Sequence, residues 1–104
     1  MPAAARGSGV DSVRSLTGSG RNCGNPRTTA TNQCSSNVFF NGFGAVRAGD
    51  IVAPHPRAGC SLDDSGLTSY SPNVFVNGRG VGRLGDQYTP DNTITSGSSN
   101  IFIN

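Results

Sequence analysis

The chain has 104 residues, 34% of them hydrophobic, with fifteen Gly, six Pro, three Cys and no Trp. A chain of this size forms one small domain, residues 1–104, and needs a staple such as a disulfide, a metal or a partner to support long loops. Its bases are all Arg and its acids all Asp, and the net charge of +2 includes no basic run, which gives little support to nucleic-acid binding, since phosphate tracking needs a concentrated basic face.

No apolar stretch approaches the roughly 20 residues of a membrane span. Met1-Pro2-Ala3-Ala4-Ala5-Arg6 lacks the apolar core of a secretory signal, so synthesis in the cytosol is expected. Gly, Pro, Ser, Thr and Asn interrupt every window long enough for a helical period, which makes the chain all-β.

In chain order, a strand at Ala3 to Arg6 leads to Gly9 and Asp11, and a loop from Ser12 to Ser35 carries Cys23 and Cys34. Asn37 to Asn41 is a β-branched and aromatic strand, Asn41-Gly42 favours a type I′ turn, and Gly44 to Arg47 returns to Gly49-Asp50. A second loop, Ile51 to Ser71, carries His55 and Cys60. Asn73 to Asn77, Asn77-Gly78 and Gly80 to Arg83 repeat the hairpin and end at Gly85-Asp86; after the loop Gln87 to Ser98, the strand Asn100 to Asn104 closes the chain.

These elements are one motif, present twice whole and once cut by the termini. SNVFFNGFGAVRAGD at 36–50 matches PNVFVNGRGVGRLGD at 72–86, and SNIFIN at the C-terminus is completed by MPAAAR at the N-terminus. Asn41 to Arg47 is six positions, Asn77 to Arg83 is six, and Asn104 through Met1 to Arg6 is six. A cut that keeps register implies a closed ring of three units, each too small to bury its own apolar face.

Period-2 alternation puts Val38 and Phe40, Val74 and Val76, and Ile101 and Ile103 on one face, with Phe39, Phe75 and Phe102 on the other. Both faces are apolar. One set is expected around the axis, the other under adjacent hairpins or a partner, and alternation does not say which. Arg6, Arg47 and Arg83 recur in register with Asp11, Asp50 and Asp86, as a ring of ion pairs facing a partner or as pairs between neighbouring hairpins.

Pro2-Ala3-Ala4-Ala5-Arg6, the Asn-Val-Phe-x-Asn-Gly strands with their Arg-x-Gly-Asp returns, and the broken third repeat resemble PAAR-repeat proteins, the spike-tip proteins of contractile phage tails and type VI secretion systems. The resemblance covers nearly all of the chain outside the long loops. It implies a small conical, pseudo-threefold β-hairpin domain, one per spike, whose base meets a homotrimeric β-helical spike of the VgrG type and whose loops converge on a metal at the apex. The expected site is the tip of the tail baseplate spike in a virion, or of a secretion-system spike, touching the target cell envelope transiently.

Cys23, Cys34, His55 and Cys60 form a set of soft and borderline donors suited to one structural zinc ion, with iron as the alternative. Three thiols cannot all pair, whereas three thiolates and an imidazole close a tetrahedral site. Asp91 is the alternative to Cys34 as fourth ligand, and the competing reading is a Cys23 to Cys34 disulfide with Cys60 free. Such a closed site has no open position for water and braces without catalysing. The pattern contains no Gly-x-Ser-x-Gly elbow, Asp63-Asp64 reads as a solvated turn, and no enzyme is expected. The chain reads as a bare membrane-piercing tip. The rival is a receptor or glycan binding module, with Asn-, Ser- and Thr-rich loops and with Tyr70 and Tyr88 as stacking surfaces.

Overall fold

A computed structural model describes residues 1–89 and 91–104. Among these the chain is all-β, with no α-helix. The strands are β1 (Ser12–Ser19), β2 (Asn25–Ala30), β3 (Phe39–Phe40), β4 (Phe43–Gly44), β5 (His55–Pro56), β6 (Leu62–Asp63), β7 (Phe75–Val76), β8 (Arg79–Gly80), β9 (Gln87–Tyr88) and β10 (Asn92–Ile94). Single 3-10 turns lie at Arg21–Cys23 and Ala58–Cys60. No helix is long and apolar enough to cross a membrane among the described residues.

Two hairpins, β3–β4 and β7–β8, turn at Asn41-Gly42 and Asn77-Gly78. Both residues of each turn have positive φ, 56° and 84° in the first and 54° and 75° in the second. This matches the twist of type I′, which Asn and Gly adopt at least cost. The termini build the third hairpin: Phe102 bridges Ala3 in the register in which Phe39 meets Gly44 and Phe75 meets Gly80.

The three return segments then bind one another in a circle. Arg6 bridges Ala45, Arg47 bridges Val81, and Arg83 bridges Ala4. At the centre, the Ala5 N–H donates to the Gly82 carbonyl (3.0 Å), the Gly82 N–H to the Val46 carbonyl (2.8 Å), and the Val46 N–H to the Ala5 carbonyl (3.3 Å). Closure of this kind leaves no free edge between the units. A second circle lies above it, where Val13 meets Ile94, Thr31 meets Val52 and Leu67 meets Tyr88.

Two apolar clusters follow the axis. Ala4, Ala45, Val76, Val81 and Ile103 form one, flanked by Val38, Phe40, Val74 and Ile101; Ala5, Val13, Val46, Val52, Leu67, Tyr88 and Ile94 form the other. The set Val38, Phe40, Val74, Val76, Ile101 and Ile103 therefore faces inward. The molecule measures 39 × 23 × 22 Å, one long axis and two nearly equal short ones.

The expected loops are more ordered than their composition suggests. Residues 12–35 contain a β1–β2 hairpin within a four-stranded sheet of order β2-β1-β10-β9, and the second loop contains the β5–β6 pair. Val13 and Ser15 are buried while Arg14 and Leu16 are exposed, a period-2 alternation that the surrounding Gly and Ser obscure.

Candidate functional site: a threefold hairpin layer and a stapled apex

The hairpin layer is built from three copies of one polar frame. In each, a buried Ser accepts two backbone N–H bonds at the start of the outgoing segment. Ser35 takes them from Asn37 (3.2 Å) and Val38 (3.0 Å), Ser71 from Asn73 (3.3 Å) and Val74 (2.9 Å), and Ser98 from Asn100 (3.2 Å) and Ile101 (3.0 Å). Such Ser turns fix the entry of a strand without a helix or sheet behind it. Sequence reasoning passed over these residues, although Ser at the same offset in all three copies was the signal.

Each Arg clamps the Asp of its own repeat. Arg47 gives Asp50 its backbone N–H (2.8 Å), Nε (2.9 Å) and Nη2 (3.0 Å), and Arg83 treats Asp86 alike at 2.8, 2.8 and 2.9 Å. Arg6 does the same with Asp11 at 2.7, 3.1 and 2.9 Å despite the two inserted residues. The pairs lie within repeats. Connection to the next hairpin is made by Arg6 to Asn41, Arg47 to Asn77 and Arg79 to Asp50. Burial alone would raise the Asp11 carboxyl, but the bonds from Arg6 and Ser96 outweigh it and hold it below the usual carboxylate range.

Outside this frame stand Phe39, Phe75 and Phe102, exposed at 55%, 58% and 51%. They occupy equivalent positions in the three hairpins; Phe43, the cross-strand partner of Phe40, is exposed as well. Large apolar residues repeated at threefold positions are unusual on a surface with nothing to cover them.

At the far end of the fold, the 3-10 turns of the β1–β2 and β5–β6 hairpins meet. Cys23 and Cys60 join them through a disulfide, with Cα atoms 5.1 Å apart. Cys34 is the free thiol and belongs to the hairpin layer, where it packs over Gly7 and Gly44 with its Sγ 3.5 Å from the Ser8 hydroxyl. His55 is buried, with Nδ1 2.9 Å from the Ala53 carbonyl oxygen and Nε2 3.5 Å from Asp63 Oδ2.

Cys23, Cys34, His55 and Cys60 are therefore not brought together as one donor set. No three His, Cys, Asp or Glu side chains converge among the described residues, and the fourth-ligand alternative, Asp91, is exposed beside β1, its carbonyl accepting from the Leu16 N–H. The residues present do not fit a tetrahedral zinc or iron centre while two of the thiols are bonded to each other. Cys34 lies in the hairpin layer, which leaves Cys23 and Cys60 as a pair at the apex. The Cys23 to Cys34 pairing is likewise replaced by Cys23 to Cys60.

Asp63 is buried rather than solvated. It accepts from Asn92 Nδ2 (3.0 Å) and from the Ser65 N–H (3.1 Å) and hydroxyl (2.9 Å). Burial opposes its ionisation, and these bonds outweigh that and hold its pKa low. Tyr88 is also buried, in the upper cluster, and is not available as a stacking surface, whereas Tyr70 is exposed. No protein-family model matches this chain, and no curated protein matches it in sequence.

Proposed function

We propose that this chain is a spike tip of the PAAR-repeat kind, which caps the end of a homotrimeric β-helical spike in a contractile phage tail or a type VI secretion system and enters the target envelope first. The observation that carries this reading is the closed circle of backbone hydrogen bonds through Ala5, Gly82 and Val46. It makes a single chain threefold. A threefold monomer offers a trimer three equivalent contacts, which a chain without internal symmetry does not. Phe39, Phe75 and Phe102 supply that contact with apolar area at matching positions. The elongated shape and the covalently tied apex suit a body that transmits thrust along its axis.

The test is binding to the spike trimer of the same particle. One chain per trimer is expected, with binding lost in a Phe39→Ser, Phe75→Ser, Phe102→Ser variant that melts like the parent. A different stoichiometry, or undiminished binding by that variant, overturns the reading.

A further inference from the structure

The chain's charges, scattered in sequence without a basic run, are sorted by folding. Arg6, Arg47, Arg79 and Arg83 are all bound to Asp11, Asp50 or Asp86 in the hairpin layer. Arg14, Arg21, Arg27 and Arg57 make no ion pair among the described residues, and all four are exposed on the apical hairpins.

The distal segments, residues 16–27 and 55–62, contain Arg21, Arg27 and Arg57, and the exposed acids Asp64 and Asp91 lie only at their edges, beside Leu62 and Leu16. The disulfide between Cys23 and Cys60 draws Arg21 and Arg57 to the same tip. Arg27 lies across Gly18, its Nη1 3.4 Å from the Gly18 carbonyl, and Gly18 in turn adjoins the Pro56 carbonyl. Two large apolar side chains accompany them: Leu16 is 62% exposed and Leu62 63%.

From this arrangement we infer that the apex is a membrane-contact surface, whose arginines take the phosphates of anionic lipids while Leu16 and Leu62 enter the boundary between headgroups and acyl chains. Guanidinium pairs with phosphate through two parallel N–H bonds, and a cationic rim beside exposed apolar residues is the pattern that holds a protein at a charged bilayer surface. Duplex nucleic acid, the other polyanion, would leave Leu16 and Leu62 exposed to water. The inference rests on the apical arginines together with Leu16 and Leu62 and needs no trimer, so it and the spike-tip reading can fail separately.

The experiment is flotation of the oxidised chain with vesicles of phosphatidylcholine alone and of phosphatidylcholine mixed with phosphatidylglycerol. Binding to the anionic vesicles is expected, weakening as salt is raised. Each arginine near the surface contributes about fivefold, so Arg21→Gln with Arg57→Gln lowers binding about 25-fold, while the Arg21→Lys, Arg57→Lys pair retains most of it. Leu16→Ser with Leu62→Ser lowers binding to the vesicles and leaves the weak attraction to duplex DNA unchanged. Equal binding to neutral vesicles, no loss in the glutamine pair, or full displacement by duplex DNA overturns the inference. If the glutamine pair fails to fold, the lipid and salt dependence of the parent chain still decides it.

Discussion

Cys23 and Cys60 stand 37 positions apart in sequence and are covalently joined where two hairpin tips meet. The bond closes a loop that contains the whole first hairpin unit, residues 36–50, so it constrains the unfolded chain as well as the apex. A loop of this length contributes about 2–4 kcal/mol.

Reduction, or the Cys60→Ser substitution, is expected to lower stability by about that amount, with the loss measured by thermal melting. The Ala5, Val46 and Gly82 circle does not depend on the disulfide, so a residual cooperative transition is expected to remain. A chelator is expected to leave the parent unchanged. A purified chain that contains about one zinc or iron per molecule and loses it in Cys60→Ser would instead assign the apical thiols to a metal centre. Metal analysis and thiol titration on the same sample separate the two.

Gly80→Ala is expected to destabilise by about 1–3 kcal/mol or more, because a Cβ there overpacks a filled site. It would meet the Ser71 carbonyl oxygen at 2.7 Å as well as the Tyr70 ring. Backbone cannot move aside as a side chain can. Gly78→Ala, in the adjacent turn, meets no atom but holds φ at 75°, so its cost is conformational alone. Denaturant unfolding of both variants checks the order, Gly80→Ala being the less stable.

Asp50 serves two arginines, Arg47 of its own repeat and Arg79 of the next, at 2.9 Å each. Asp50→Asn leaves both cations without their carboxylate. The loss expected is about 2–3 kcal/mol, less than for a fully buried pair because both guanidinium groups reach solvent. Asp86 pairs with one arginine, Arg83, among the described residues, so Asp86→Asn should cost less. Equal losses in chemical denaturation would mean that the bond from Arg79 adds nothing.

Stability should fall below about pH 4. Asp11 and Asp63 both have lowered pKa values in the fold; burial works against this, and hydrogen bonds from Arg6 and Ser96, and from Asn92 and Ser65, prevail. A carboxyl with a lower pKa folded than unfolded contributes stability above its unfolded value and loses it as pH falls through the folded one. In Asp11→Asn the acid-side fall should shrink. On the alkaline side, burial first, then the charges of Asp50 and Asp11, push the Tyr88 hydroxyl upward. The unfolded Tyr ionises near pH 10, so stability declines above about that pH, and Tyr88→Phe should remove part of the decline. Melting temperatures across the pH range test both limbs.

The amino-acid sequence by itself determined the threefold closure. The six-residue step from the turn Asn to the return Arg survives the chain break between Asn104 and Met1, and Asn-Gly admits one tight turn geometry well. Both are local facts, and local facts are legible in order along a chain. The sequence also held a sign of the Ser35, Ser71 and Ser98 turns in their common offset.

Only the tertiary structure decided which apolar set is inside, since Phe39 and Phe40 differ in burial through packing across the axis and not through their own chemistry. It also decided the partner of each cysteine. Cys34 is nearer to Cys23 in sequence than Cys60 is, yet folding places Cys34 over Gly7 and Gly44 in the hairpin layer and sends Cys23 to the tip. The sorting of arginines is of the same kind: they are scattered along the chain without a basic run, and their separation into clamped and free sets follows from which hairpin end each one occupies. Contacts between distant residues depend on how units close in space, and composition and spacing constrain that only where a repeat spells it out.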